Sequence, residues 1–135
     1  MIIRIDHIGI AVSDLSRAID IYKKMFNFEV RDIVESLDQK IRSAYIYSKE
    51  GETYIELMES TDPFGPVGKF ISKKGEGLHH VSLQTNDIEK MSSYLKKNNL
   101  IFTTTEHIIF MGDKFYFTHP RGMMGVMFEL RERTK

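Results

Sequence analysis

Two histidines and two glutamates stand out by their spacing. Forty-nine positions separate His7 from Glu56, and 49 separate His80 from Glu129, so a shift of 73 lays one pair on the other without a gap. Imidazole nitrogens and carboxylate oxygens are ligands for divalent first-row metals. Two such pairs related by a repeat point to one ion held between two copies of a structural unit. An ion so held would act at a carbonyl or hydroxyl oxygen.

The repeat extends beyond these four residues. The same shift places Asp14 on Asp87, Leu15 on Ile88, Lys23-Lys24 on Lys96-Lys97, and Leu57 on Leu130. Each match alone is weak. The gapless register is what reports a duplicated supersecondary unit.

Each unit reads as strand, helix, then strands. Residues 2–12 alternate with strand period, and Ser13 or Asp14 can cap the helix that follows. On that helix Leu15, Ala18, Ile19, Tyr22, Met25 and Phe26 form one stripe, expected to be buried. Strands are expected over 28–34, 41–48 and 53–58, with a turn at 49–52. The second unit repeats the pattern. A strand is expected over 79–85, then a helix over about 88–97 capped by Asn86 or Asp87, then strands near 101–105, 114–118 and 125–130. Between the units, residues 62–66 form a turn cluster and 67–73 one short helix, with Gly75 and Gly77 leading into the second unit.

Strand alternation sorts the faces. Ile8, Ile10, Ile55, Leu57, Val81, Leu83, Phe128 and Leu130 make an apolar face for the helices. The opposite face carries His7, Gly9 and Ala11; Tyr54, Glu56 and Met58; His80, Ser82 and Gln84; and Met127 and Glu129. Buried carboxylates need a partner or a cation, and a metal explains both.

Composition sets the frame. The 135 residues suffice for one compact domain or two small fused modules, and a hydrophobic share of 41% supports a core if both halves share it. Nineteen basic and 19 acidic residues cancel, which leaves no excess to hold nucleic acid or a membrane surface. Cysteine is absent, which excludes disulfides, thiolate metal sites and a cysteine nucleophile. No apolar run approaches the ~20 residues that span a bilayer. The opening residues read as a strand rather than a signal peptide, and a soluble cytoplasmic protein is expected.

At the level of motifs the chain resembles the vicinal oxygen chelate (glyoxalase/bleomycin resistance/dioxygenase) superfamily. The likeness lies in Ile5-Asp6-His7-Ile8-Gly9-Ile10-Ala11-Val12, Tyr54-Ile55-Glu56-Leu57-Met58, Gly77-Leu78-His79-His80-Val81, His119-Pro120-Arg121-Gly122 and Gly125-Val126-Met127-Phe128-Glu129-Leu130. Within the superfamily it is most similar to the methylmalonyl-CoA epimerase family. The Gly-Leu-His-His motif and the His-Pro to Glu-Leu ending are the more specific parts.

The resemblance implies an α+β fold of two tandem βαβββ modules forming a curved mixed sheet around a metal site. It covers residues 1–135 as one domain, with module one about 1–60, a linker about 61–76 and module two about 77–135. It implies a divalent ion (Co, Mn, Ni or Zn) held by His7, Glu56, His80 and Glu129, with positions open to substrate oxygens. It implies α-proton abstraction from an acyl-CoA such as methylmalonyl-CoA through a metal-stabilised enolate, with Glu129 and Glu56 as catalytic carboxylates. A homodimer is expected by analogy with the fold. In one departure, Ser43 stands where some epimerases carry a second glutamate.

The chemistry agrees with that class. A cation at the carbonyl oxygen offsets the charge that builds there as the α-proton leaves. A placed carboxylate base contributes roughly 10²–10⁴-fold. Two other readings remain: a lactoylglutathione lyase (glyoxalase I) acting on a glutathione adduct, and a non-catalytic small-molecule binding protein of the same fold. The Gly-Leu-His-His and His-Pro motifs favour the epimerase over the lyase.

Other candidates have plainer readings. His79 should point away from His80 and serve the structure. His119 belongs to a turn or lines a pocket, and His107 is expected at the surface. Met111, Met123, Met124 and Met127 are expected to fill an irregular core, with a substrate wall as the alternative. The paired lysines are expected on solvated faces.

Overall fold

The computed structural model describes residues 1–134. Its elements in chain order are β1 (Ile2–Val12), α1 (Leu15–Phe26), β2 (Glu29–Ser36), β3 (Ile41–Tyr47), β4 (Tyr54–Ser60), α2 (Pro66–Lys74), β5 (Gly77–Thr85), α3 (Ile88–Lys97), β6 (Ile108–Phe110), β7 (Asp113–Phe117), a 3₁₀ turn (Pro120–Met123) and β8 (Phe128–Glu132). The expected α+β arrangement of two βαβββ modules is present. Among the described residues no helix is long and apolar enough to cross a membrane.

Contacts divide the chain into two compact units, His7–His79 and Met1–Asp6 with His80–Lys135. The division falls within β1, so the first residues of that strand belong with the C-terminal half.

In the unit His7–His79 the strands run in the order β2-β3-β4-β1. β1 and β4 are parallel, with His7 opposite Tyr54 and Gly9 opposite Glu56. β3 is antiparallel to β4 and sets Tyr45 opposite Glu56. α1 packs on the apolar face through Leu15 and Ala18 against Val12, Ala44, Ile46 and Leu57. α2 covers one end of the opposite face, where Val67 meets Ala11 and Met58. Gly68 permits that approach, because a Cβ there would stand 2.6 Å from the Pro63 carbonyl oxygen.

Of the two candidate caps for α1, Asp14 takes the position and accepts the Arg17 N–H at 3.1 Å. The helix closes on Asn27 in the left-handed region, φ 57°. The stripe on α1 is buried less far than expected. Met25 and Phe26 are exposed, and Phe26 meets the rings of Tyr22 and Phe28 edge-on.

In the second unit β5 and β8 are parallel, and β8, β7 and β6 follow antiparallel. Asp87 caps α3 and accepts the Lys90 N–H at 2.9 Å. The strand expected over 101–105 is reduced to a single bridge, Phe102 to Thr118. Thr104 bonds the Glu106 carbonyl at 2.7 Å instead of extending a ladder. The edge strand is β6, paired to β7 through a two-residue hairpin at Met111 (φ 53°) and Gly112 (φ 87°). Both signs are those of a type I′ turn; methionine there is uncommon, and the sequence pattern hides it. The methionines are not core fillers throughout: Met111 is 72% exposed and Met124 fully exposed, the latter in the left-handed conformation.

Candidate metal centre

In the unit His7–His79, His7 and Glu56 face the same way from adjacent parallel strands. His7 Nε2 stands 3.2 Å from Glu56 Oε1, and both residues are buried. The imidazole stacks on Tyr54, its register partner, with centroids 4.8 Å apart and planes 19° from parallel. Tyr54 in turn stacks on Tyr47 at 4.9 Å, and the Arg31 guanidinium lies over Tyr47 at 4.2 Å. This ladder of planar groups fixes the tilt of the His7 ring. Ser43 Oγ donates to Glu56 Oε2 at 2.7 Å. Ser43, which stands where some epimerases carry a second glutamate, therefore supplies a hydroxyl to the Glu56 carboxylate on the neighbouring strand.

In the second unit, His80 is 3% exposed and meets the edge of Phe117, centroids 5.6 Å apart. Glu129 is 2% exposed and lies opposite Ser82, whose Oγ donates to Oε1 at 2.6 Å. Arg131 Nε also reaches Oε1 at 3.0 Å, and its Nη2 reaches Oε2 at 3.4 Å. Arg131 Nη1 bonds Asp113 Oδ2 at 3.1 Å, and Arg133 Nη1 bonds the same oxygen at 3.0 Å. Arg133 then forks onto Asp6, at 2.8 Å to Oδ1 and 2.6 Å to Oδ2.

The repeat survives in strand register but not in partners. Gly9 opposite Glu56 corresponds to Ser82 opposite Glu129, both pairs related by the shift of 73. Glycine has no hydroxyl, so Glu56 takes its donor from Ser43 on β3. The counterpart of Arg131 is Met58. Sequence reading placed Ser82 on this face but gave it no role, and it missed Arg131, Arg133, Asp113 and Asp6. The available signal was Arg131 two positions beyond Glu129, on the same face of one strand.

Three buried residues offer donors that suit a metal ion: His7 and Glu56 in the unit His7–His79, and His80 in the second unit. Two imidazoles and a carboxylate suit Co²⁺, Mn²⁺, Ni²⁺ or Zn²⁺. Bonds of ~2.0–2.2 Å place the donors of one ion within about 4.4 Å of each other, and His7 Nε2 and Glu56 Oε1, 3.2 Å apart, lie inside that span. Glu129, the fourth expected ligand, lies in the second unit, where Ser82 and Arg131 bond its carboxylate.

The remaining histidines have structural settings. His79 meets Phe70 edge-on at 4.8 Å between centroids. His119 accepts the Arg121 N–H at 3.0 Å and caps the 3₁₀ turn. His107 is part-buried, bonds Glu89 at 2.8 Å and meets the edge of Tyr116.

Known proteins are similar to this one over nearly the whole chain. The mitochondrial methylmalonyl-CoA epimerase of Dictyostelium discoideum is 29% identical over 132 residues, covering 96% of this chain and 78% of that protein. The ethylmalonyl-CoA/methylmalonyl-CoA epimerase of Cereibacter sphaeroides is 27% identical, covering 98% and 99%. A Streptomyces coelicolor methylmalonyl-CoA epimerase variant, solved with 2-nitronate-propionyl-CoA, superposes with a TM-score of 0.92 at 31% identity and covers both chains fully. A methylmalonyl-CoA epimerase solved with methylmalonyl-CoA and NH4+ superposes at 0.91 and 32% identity, covering 99% of this chain and 96% of that one. The profile of the Glyoxalase/Bleomycin resistance protein/Dioxygenase superfamily matches residues 6–117, and the chain belongs to that superfamily.

Proposed function

We propose that this protein is a metal-dependent epimerase that inverts the α-carbon of methylmalonyl-CoA or a similar acyl-CoA by removing and returning the α-proton. Three buried residues of metal-ligand type, His7, Glu56 and His80, carry the reading, in a chain that matches acyl-CoA epimerases from end to end. His7, Glu56, His80 and Glu129 hold one divalent ion, Co²⁺, Mn²⁺, Ni²⁺ or Zn²⁺. When bound, the ion supplies a Lewis acid that stabilises negative charge on the substrate's carbonyl oxygen.

The protein's own residues do the rest. Tyr54 holds the His7 ring in plane. Ser43 orients Glu56 and Ser82 orients Glu129 through their hydroxyls. Glu129 takes the α-proton, and Glu56 serves the opposite face of the substrate. The bonds to Glu129 keep its carboxylate in one orientation, so little reorganisation accompanies proton transfer. We also propose that the protein forms a homodimer, by analogy with the fold alone, and that it acts in the cytoplasm.

The epimerase names of the relatives above favour this reading over lactoylglutathione lyase. The test is deuterium uptake from D₂O into methylmalonyl-CoA by metal-loaded protein, run beside the methylglyoxal–glutathione adduct. Exchange into the acyl-CoA that falls at least about 100-fold in Glu129→Gln is expected. Glutamine keeps an oxygen for the metal but accepts no proton. Absence of exchange with all four metals rejects the epimerase. Exchange that persists unchanged in Glu129→Gln with metal retained removes Glu129 as the base.

A further inference from the structure

We infer that Arg131 is a positioning residue for Glu129, through which a chain of buried and part-buried ion pairs fixes the orientation of that carboxylate. The inference rests on the reading of Glu129 as the proton-transferring group. Its geometric basis lies in one unit of the protein.

Arg131 approaches Glu129 side-on. Nε contacts Oε1 at 3.0 Å and Nη2 contacts Oε2 at 3.4 Å, so the plane of the guanidinium sets the plane of the carboxylate. The Ser82 hydroxyl, 2.6 Å from Oε1, fixes the same group from the neighbouring strand. The guanidinium is itself held. It lies over the ring of Phe115, its register partner on β7, at 4.8 Å, and its Nη1 is bound to Asp113. Asp113 Oδ1 accepts the Thr134 N–H at 3.1 Å, and Arg133 ties Asp113 to the fully buried Asp6. Every member from Asp6 to Glu129 is thus restrained on both sides.

Stability alone is a poor reason for such a chain. Burying ions costs desolvation that mutual attraction offsets only with good geometry, and apolar replacements of similar size are often as stable. Its place matters more. The repeat-related glutamate, Glu56, has Met58 at the position that corresponds to Arg131; the Ser43 hydroxyl donates to it and the His7 imidazole stands beside it. The arginine two positions on along the same strand, with a relay behind it, is thus a feature of the Glu129 copy of the repeat.

A lysine would keep the charge but lose the fork, since an ammonium cannot span two oxygens and reach Asp113 together. The test is a double-mutant cycle between Arg131→Lys and Glu129→Gln, reading kcat and KM for α-proton exchange and, without substrate, the dissociation constant for Co²⁺. A residue acting through Glu129 gives strongly non-additive losses, whereas a residue that merely supports the fold lowers both backgrounds alike. We expect Arg131→Lys to lower kcat about tenfold or more, with KM within about threefold, and to weaken Co²⁺ binding by about threefold or more. In the Glu129→Gln background both effects should shrink to less than about twofold. Equal factors in the two backgrounds, or no loss in the first, overturn the inference while leaving the epimerase intact. Wild-type protein that binds Co²⁺ but exchanges no proton overturns both. If Arg131→Lys does not fold, Asp113→Asn replaces it in the cycle. It leaves Arg131 on Glu129 but loosens the far anchor, and the same contrast at smaller size is expected.

Discussion

Glu59 and Glu132 lie 73 positions apart and make the same bond. Glu59 Oε2 accepts the N–H of Leu15, the first residue of α1, at 3.0 Å. Glu132 Oε2 accepts the N–H of Ile88, the first residue of α3, at 2.8 Å. In each module the last strand thus caps the helix with a carboxylate, where the helix leaves its first amides unpaired and favours negative charge. Glu132→Ala should lower stability by ~1–2 kcal/mol, and Glu132→Gln by less than half of that. Urea unfolding of the two variants checks the order; equal losses would show that charge and acceptor count for nothing separately.

His80→Ala should abolish stoichiometric binding of Zn²⁺ or Co²⁺ while the protein stays folded, since the change removes one donor and one buried edge contact, with Phe117. Elemental analysis after reconstitution measures it. In wild type, a chelator should lower the melting temperature, because an ion that binds only the folded state adds stability by mass action. His80→Ala should have lost that response.

Ser43→Ala removes the hydroxyl bonded to Glu56. Metal affinity should fall by about 10-fold, the lower end of what such supporting contacts are worth, with stability reduced by ~1 kcal/mol. Competitive metal titration against a chromophoric chelator reads the first and thermal unfolding the second. Unchanged affinity would mean that Glu56 needs no orientation from β3.

Gly68→Ala should cost ~2–3 kcal/mol, the effect of overpacking against backbone that cannot yield. The added methyl would meet the carbonyl oxygens of Pro63 and Asp62 at 2.6 and 2.7 Å. Because α2 covers Ala11 and Met58 at one end of the His7 face, a thermal shift should be accompanied by faster amide exchange in α2.

Much of this was legible because a strand has period two and the repeat has no gaps. Alternation alone put His7 with Glu56, and His80 with Ser82, on their faces. The register pairs Gly9–Glu56 and Ser82–Glu129 follow from the same shift. What stayed hidden depends on contacts far apart in sequence. Nothing local says that Asp6 will meet Arg133, or that Arg131 will choose Glu129 over water. The edge strand was misplaced because Thr104 has strand propensity yet bonds locally to the Glu106 carbonyl, while Met111-Gly112 does not look like a hairpin turn. Met25 and Phe26 keep the helical spacing of the buried stripe yet are exposed.

The pair Asp6–Arg133 has a consequence for biosynthesis. The two residues are 127 positions apart, so Asp6 leaves the ribosome well before Arg133 is made. Asp6, wholly buried in the finished protein, must wait in the emerging chain with its carboxylate in water. Contacts of such long range close late and slowly. The unit that holds Glu129 and its supports can therefore be completed only once residue 133 has emerged. A product that stops short of Arg133 should hold a formed His7–His79 unit and no working centre.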